Sequence, residues 1–262
     1  MTNPHANPLI RKLEQLYPLS KDEQALLQGA CTRLIEIDAN RDIVSEGDKP
    51  TDCNLLLEGV VCRYKVFENG KRQIFSFHIP GDIFDAQSFL LETMDHNIGT
   101  LRPCKVGLIP HTILHDLSER HPRIARAIWK DTLVDAAIFR EWIANVGRRN
   151  AKQRIAHLMC EMVVKYHAVG MASDHRRIEW PMTQSELGDA TGLSLVHVNR
   201  TVQALRKAGL ITLNGGTLVI HDWAGLRRAG RFEPRYLHLK SDRRSDGDGT
   251  GDRQGGISAA HS

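Results

Sequence analysis

No apolar run in this sequence approaches the roughly 20 residues that a membrane-spanning helix needs; runs such as those at 55–57 and 59–62 are broken by polar side chains. Residues 1–20 lack the charged, then apolar, then small-residue order of a secretory signal, and instead scatter Pro4, Pro8 and charges around one short apolar cluster. Neither a membrane partner nor export is expected, and a cytoplasmic location is. Cysteine is scarce: Cys31, Cys53, Cys62, Cys104 and Cys160 are odd in number and form no C-x-x-C pair. Without grouped thiolates, zinc and iron–sulfur ligation are not expected, and the five read as small apolar core residues in a reducing compartment. Enzyme signatures are missing too. There is no G-x-S-x-G, H-E-x-x-H, paired-carboxylate motif or phosphate-cradling glycine loop, so catalysis is not expected.

Apolar residues make up 41% of the 262, enough for a substantial core. The charge is uneven: residues 1–147 carry 17 basic and 20 acidic side chains, a net of −3, and residues 148–262 carry 18 and 11, a net of +7. A basic C-terminal part suits a polyanionic partner, while the N-terminal part does something else.

Residues 32–109 alternate short β-type stretches, at 34–37, 43–44, 54–67, 73–79 and 105–109, with turn residues. Gly47, Gly59, Asn69-Gly70 and Pro80-Gly81 recur every 11 or 12 residues, the spacing of strands in a compact roll or sandwich. Asn69-Gly70 predicts a two-residue hairpin turn of the primed type between 61–67 and 73–79. Residues 121–145 predict one long helix with Ile124, Ile128, Val134, Ile138 and Trp142 on its apolar face. Trp129, Leu133, Phe139 and Ile143 lie outside that stripe and predict a second buried face, for which the same helix of another subunit is the natural occupant. Asn150 predicts the cap of a further helix over 151–167. Beyond Arg235 the chain turns to Ser, Asp, Gly and Arg, too poor in apolar surface to order itself.

The segment 181–213 carries the sharpest signal. Thr183 and Glu186 form a capping box for a short helix over 184–190 that buries Leu187. Gly192 permits a tight turn, and Ser194 caps a second helix over 195–207 whose Val198, Val202 and Leu205 face inward. Val196, His197, Asn199, Arg200 and Gln203 are left on its free face, near the end that enters a major groove. There Arg can bond guanine O6 and N7, Asn or Gln adenine, and Val a thymine methyl. Thr183, Gln184 and Ser194, at helix starts, suit phosphate contacts that fix position rather than sequence. Residues 210–213 and 217–220, around Asn214-Gly215-Gly216, predict a hairpin wing.

These residues resemble the helix-turn-helix signature of the Crp/Fnr superfamily of bacterial transcription regulators, and the glycine-punctuated roll and long helix agree over residues 10–235. The resemblance implies an α+β fold: an N-terminal β-roll, double-stranded and jelly-roll-like, over 10–116; a long dimerisation helix over 117–146; and a winged helix-turn-helix over 147–235, followed by the tail over 236–262 that composition leaves disordered. It implies a homodimer on a two-fold-symmetric site in double-stranded DNA, with RNA polymerase as a further partner. Arg200 matches the arginine that closes the family's base-reading segment, whereas Val196 stands where many members carry a glutamate.

Members similar to the cyclic-AMP receptor grip ribose and phosphate with a Gly-Glu pair and an Arg-Ser or Arg-Thr pair. Here Asp85-Ala86 and approximately His96-Asn97 stand in those places, and no arginine neutralises the phosphate. Cyclic nucleotide is therefore disfavoured, although a shifted alignment would let His96 or Arg102 substitute in part; Asp82, Asp85, His96 and Arg102 are what this segment offers an effector. Nothing before Cys31 supplies an iron–sulfur cluster. His78, His96 and His111 are isolated, which disfavours haem. The rival reading is a small-molecule sensor whose winged domain contacts protein instead of DNA; it predicts no salt-dependent DNA affinity.

Overall fold

The computed structural model describes residues 7–172 and 176–240. Two capped helices come first. α1 (Pro8–Leu16) turns Leu9, Ile10, Leu13 and Leu16 inward, and α2 (Lys21–Gln28) starts at a Ser20/Glu23 capping box. The roll follows as β1 (Arg33–Ile37), β2 (Asp42–Val44), β3 (Asp52–Glu58), β4 (Val61–Val66), β5 (Arg72–His78), the single turn α3 (Ser88–Leu91), β6 (Asn97–Thr100) and β7 (Cys104–Pro110). Two antiparallel sheets, ordered β1-β7-β3 and β2-β6-β4-β5, enclose a core that includes Leu56, Val61, Phe84, Ile98 and Val106.

The stretch 54–67 is therefore not one strand. The chain breaks at Gly59, where φ is positive, and crosses between sheets; only glycine fits there, since a Cβ would strike the Pro103 carbonyl oxygen and the Cys104 sulfur. The Asn69-Gly70 hairpin exists, with Val61 opposite His78, but its turn is not of the primed type. Only Gly70 has positive φ, and the loop closes through Gly70 N to Phe67 O and Phe67 N to Lys71 O. The primed geometry occurs instead in the wing, where Gly215 and Gly216 both have positive φ.

α4 (His111–Arg120) and α5 (Pro122–Arg148) replace the single element expected over 117–146. Pro122 at the first helical position and the non-helical His121 separate them. α5 also runs through Gly147, since one exposed glycine costs only ~1 kcal/mol and the next cap is Asn150. α6 (Ala151–Ala168) starts there, with Asn150 and Gln153 exchanging side-chain-to-backbone bonds. The remainder is β8 (Arg177–Glu179), α7 (Gln184–Thr191), α8 (Leu195–Lys207), β9 (Ile211–Asn214), β10 (Thr217–Ile220), α9 (Trp223–Gly230) and a 3-10 turn, Pro234–Leu237.

Residues 236–240, the start of the tail expected from 236, do not conform to it. Tyr236 donates to Glu161 Oε2 at 2.7 Å, Trp142 of α5 donates to Glu161 Oε1 at 3.0 Å, and Leu237 is buried. These two side chains supply the apolar surface that the composition beyond them lacks. Residues 241–262, the rest of that expected tail, lie outside the described residues.

Candidate DNA-binding interface and effector cleft

Two caps and one glycine set the geometry of the helix pair. Thr183 Oγ1 accepts the Glu186 amide at 3.2 Å, and Glu186 Oε2 accepts the Thr183 amide at 2.6 Å. α7 ends at left-handed Gly192, and Ser194 Oγ accepts the His197 amide at 3.4 Å to start α8. Between them the chain folds back so tightly that a Cβ on Gly188 would lie 2.7 Å from the Leu193 carbonyl oxygen, which is backbone and cannot swing away. Gly188→Val is expected to cost about 3 kcal/mol by overpacking. Chemical denaturation measures it, and an unchanged midpoint would show slack in the turn.

Val198, Val202 and Leu205 of α8 are buried in the core formed with Ile155, Leu158 and Leu187. Because these positions define the inward stripe, Val196, His197, Asn199, Arg200 and Gln203 all emerge exposed. Val196, Asn199, Arg200, Gln203 and Lys207 line one shallow surface. Thr183 and Gln184 stand at the start of α7, and Ser194 at the start of α8. The Ser194 hydroxyl carries a contact that sequence reasoning did not find, to His197 Nδ1 at 3.0 Å. The wing gains a third strand, β8, paired with β10.

This unit is docked on the roll. Arg72 at the base of β5 bonds Asp189 of α7, Nε to Oδ2 at 2.9 Å, while its guanidinium lies 5.5 Å from the Tyr64 ring centroid. Lys165 of α6 donates to the Phe77 carbonyl at 2.8 Å.

Asp82, Asp85, His96 and Arg102 are not brought together. Asp82 sits in a buried ion cluster with Lys12, His78 and Lys165. Asp85 is buried against β3, accepting the Asn54 amide and side-chain nitrogen at 2.6 Å each; burial outweighs those bonds and pushes its carboxyl up to about 6. Arg102 lies in the turn between β6 and β7. His96 alone of the four lines the cleft of about 420 Å³ between the roll and α5, with Arg63, Lys65, Phe75, Gln87 and Phe139. Burial first, opposed by its 2.6 Å contact with Asp95, lowers the His96 imidazole below its ordinary range. Arg63 is held by three hydrogen bonds, Nε on the Phe84 carbonyl, Nη1 on Asp135 at 3.1 Å and Nη2 on Gln87. The dispersal follows from the chain path, since 82–102 runs from the α1 side of the roll, through α3, to the far end of β6. Among the described residues, no three His, Cys, Asp or Glu side chains group to hold a metal ion, and no helix is long and apolar enough to cross a membrane.

A two-sheet roll joined by a long helix to a winged helix-turn-helix defines a DNA-binding regulator with a sensor-type domain. Residues 153–229 match the Crp-like helix-turn-helix domain and residues 34–121 the cyclic nucleotide-binding domain. The chain belongs to the Crp/Fnr family of DNA-binding transcription regulators. It is 28% identical over 215 residues to the anaerobic regulatory protein of Haemophilus influenzae, covering 80% of this chain and 81% of that one. To a probable transcriptional activator of Rhizobium leguminosarum it is 25% identical, over 74% and 79% of the two chains. The fold is shared with FixK2 of Bradyrhizobium japonicum at a TM-score of 0.67 and 22% identity, over 75% of this chain and 96% of that one.

Proposed function

We propose that this chain acts in the cytoplasm as a homodimer that binds a two-fold-symmetric operator without cyclic nucleotide and regulates transcription through contact with RNA polymerase. The reading rests above all on the exposed face of α8. Five side chains able to meet base edges project from a helix whose opposite face is locked in a core, four of them from its N-terminal half. Thr183, Gln184 and Ser194 stand where backbone amides and hydroxyls would hold phosphates. The dimer reading is supported by α5, on which Trp129, Leu133 and Ile143 are 67, 54 and 73% exposed in one protomer.

Against cyclic nucleotide stands the chemistry of the cleft. Its buried guanidinium, Arg63, is already tied to the Phe84 carbonyl, Asp135 and Gln87, and Asp95, Asp131 and Asp135 line the same walls, so a cyclic phosphate would meet three carboxylates. The residues present do not fit that ligand. The scattered cysteines and the hydrogen-bonded or ring-packed His78, His96 and His111 argue likewise against an iron–sulfur cluster or haem.

Selection of bound sequences from random DNA by the purified full chain, with and without cyclic AMP, tests this. A palindromic motif enriched equally in both arms, with affinity falling steeply as salt rises, is the expected result. A motif that needs the nucleotide, or a salt-insensitive interaction, would overturn it. Arg200→Ala is expected to cost roughly 1–3 kcal/mol of specific binding, about 5- to 150-fold, if the guanidinium bonds a base edge bidentately. Titration against the selected operator and a point-mutated one reads this, and unchanged discrimination would remove Arg200 from base reading.

A further inference from the structure

We propose that Ser194 is a positioning residue that fixes the tautomer of His197, so that α8 presents His197 Nε2 as a hydrogen-bond donor to an acceptor edge in the major groove. The inference rests on the DNA-reading role given to α8 and adds what one of its side chains accepts and rejects.

Ser194 Oγ lies 3.0 Å from His197 Nδ1 and 3.4 Å from the backbone nitrogen of the same residue. The two contacts assign the hydroxyl's roles. As the helix cap, Oγ accepts the His197 amide proton, which leaves the hydroxyl's own proton to be placed. Among the described residues the acceptor within reach of that proton is Nδ1. With Ser194 donating to Nδ1, both polar partners are satisfied; with Nδ1 protonated instead, the hydroxyl proton has no protein acceptor. A neutral imidazole that accepts at Nδ1 carries its proton on Nε2.

The cap spacing also fixes where that proton points. Ser194 is the residue before the first turn of α8, His197 is its third helical residue and is exposed, and no other polar contact holds its ring. Nε2–H therefore projects from the helix end that enters the groove. A single donor there bonds purine N7, guanine O6 or thymine O4, and it clashes with cytosine, whose major-groove edge offers the N4 amino group. Cytosine is thus the base excluded at one position of each half-site. Arg200, one turn along, reads an independent position.

Two measurements on the full chain test this. Long-range nitrogen–proton NMR of the free protein, with the His197 signals assigned by their loss in His197→Gln, is expected to show the Nε2–H tautomer. Base preferences are then compared position by position for the wild type, Ser194→Gly and Ser194→Thr. Glycine keeps the helix start within a few tenths of a kcal/mol but has no hydroxyl, whereas threonine restores it. Discrimination against cytosine is expected to fall about tenfold at one half-site position in Ser194→Gly, the scale of one hydrogen bond, and to return in Ser194→Thr while other positions hold. A uniform loss of affinity is the share of the Ser194 phosphate contact; relative base preference unchanged at every position would reduce Ser194 to a cap and phosphate contact and overturn the proposal. So would an Nδ1–H tautomer, whatever the DNA result. A wild type that holds the Nε2–H tautomer yet selects no motif would overturn the DNA reading alone.

Discussion

Leu133→Asp combined with Ile143→Asp is expected to leave a folded protomer that binds its operator on the order of 10²–10⁴-fold more weakly, the factor lost when two linked half-site contacts become one. Both side chains are more than half exposed on α5, so the substitutions remove no intrachain core. The inward stripe, Ile124, Val134, Ile138 and Trp142, is a separate set and stays buried. Trp129, Ala136 and Ile143 recur at seven-residue intervals, with Leu133 beside them, which is the pattern of a helix seated along a second helix, whereas Phe139, expected on the same face, packs on Phe75 and Arg63 of its own chain. Around a two-fold axis each residue meets the same surface of its mate, so every introduced aspartate faces apolar surface or another aspartate. Light scattering should report the shift from dimer to monomer, far-ultraviolet circular dichroism should stay unchanged, and a DNA titration should show the loss. A variant that remains dimeric at micromolar concentration would place the subunit contact elsewhere.

What was legible in the sequence is what local chemistry decides. The boxes at Thr183/Glu186, the caps at Asn150 and Ser194, and the inward stripe of Val198, Val202 and Leu205 each depend on residues within a turn or two, and each is realised. The four roll glycines Gly47, Gly59, Gly70 and Gly81 all take positive φ, which their spacing foreshadowed. What was missed depends on distant partners. β6, Asn-Ile-Gly-Thr, has one large apolar residue and becomes a strand by lying between β2 and β4. β8 is three residues long and exists because β10 is beside it. The start of α2 is legible in Ser20 and Glu23, a capping box as local as that at Thr183. For the site, the exposed face of α8 followed from helical periodicity, whereas the Ser194–His197 contact depends on a rotamer and the scattering of Asp82, Asp85, His96 and Arg102 on the chain's path.

That path also builds a feature with a large expected effect on stability, the ion cluster where α1, the roll, α5 and α6 meet. Lys12 Nζ lies 2.8 Å from Asp82 and 2.7 Å from Asp131, and Asp82 also faces His78 at 3.2 Å and Lys165 at 3.8 Å. For Lys12, burial opposes the charge but is outweighed by Asp131 and then Asp82, so its ammonium is held well above its ordinary range. For Asp82, burial is outweighed by Lys12 and Lys165, which hold its carboxyl well below the usual range. A folded-state value below the unfolded one means that Asp82 contributes stability above about pH 4, lost as pH falls through the folded value. Lys12→Met should cost about 3 kcal/mol at pH 7.5, because buried Asp131 loses its ion-pair partner and Asp82 keeps only Lys165 at 3.8 Å and His78, a loss of roughly 6–12 °C in Tm. Without Lys12 both carboxyls titrate higher, so the deficit should shrink when the comparison is repeated at pH 5. Removing one of the stranded charges in Lys12→Met/Asp131→Leu should recover most of it. A deficit that is equal at both pH values and unchanged in the double variant would mean that Lys12 acts through packing of its aliphatic stem rather than through charge.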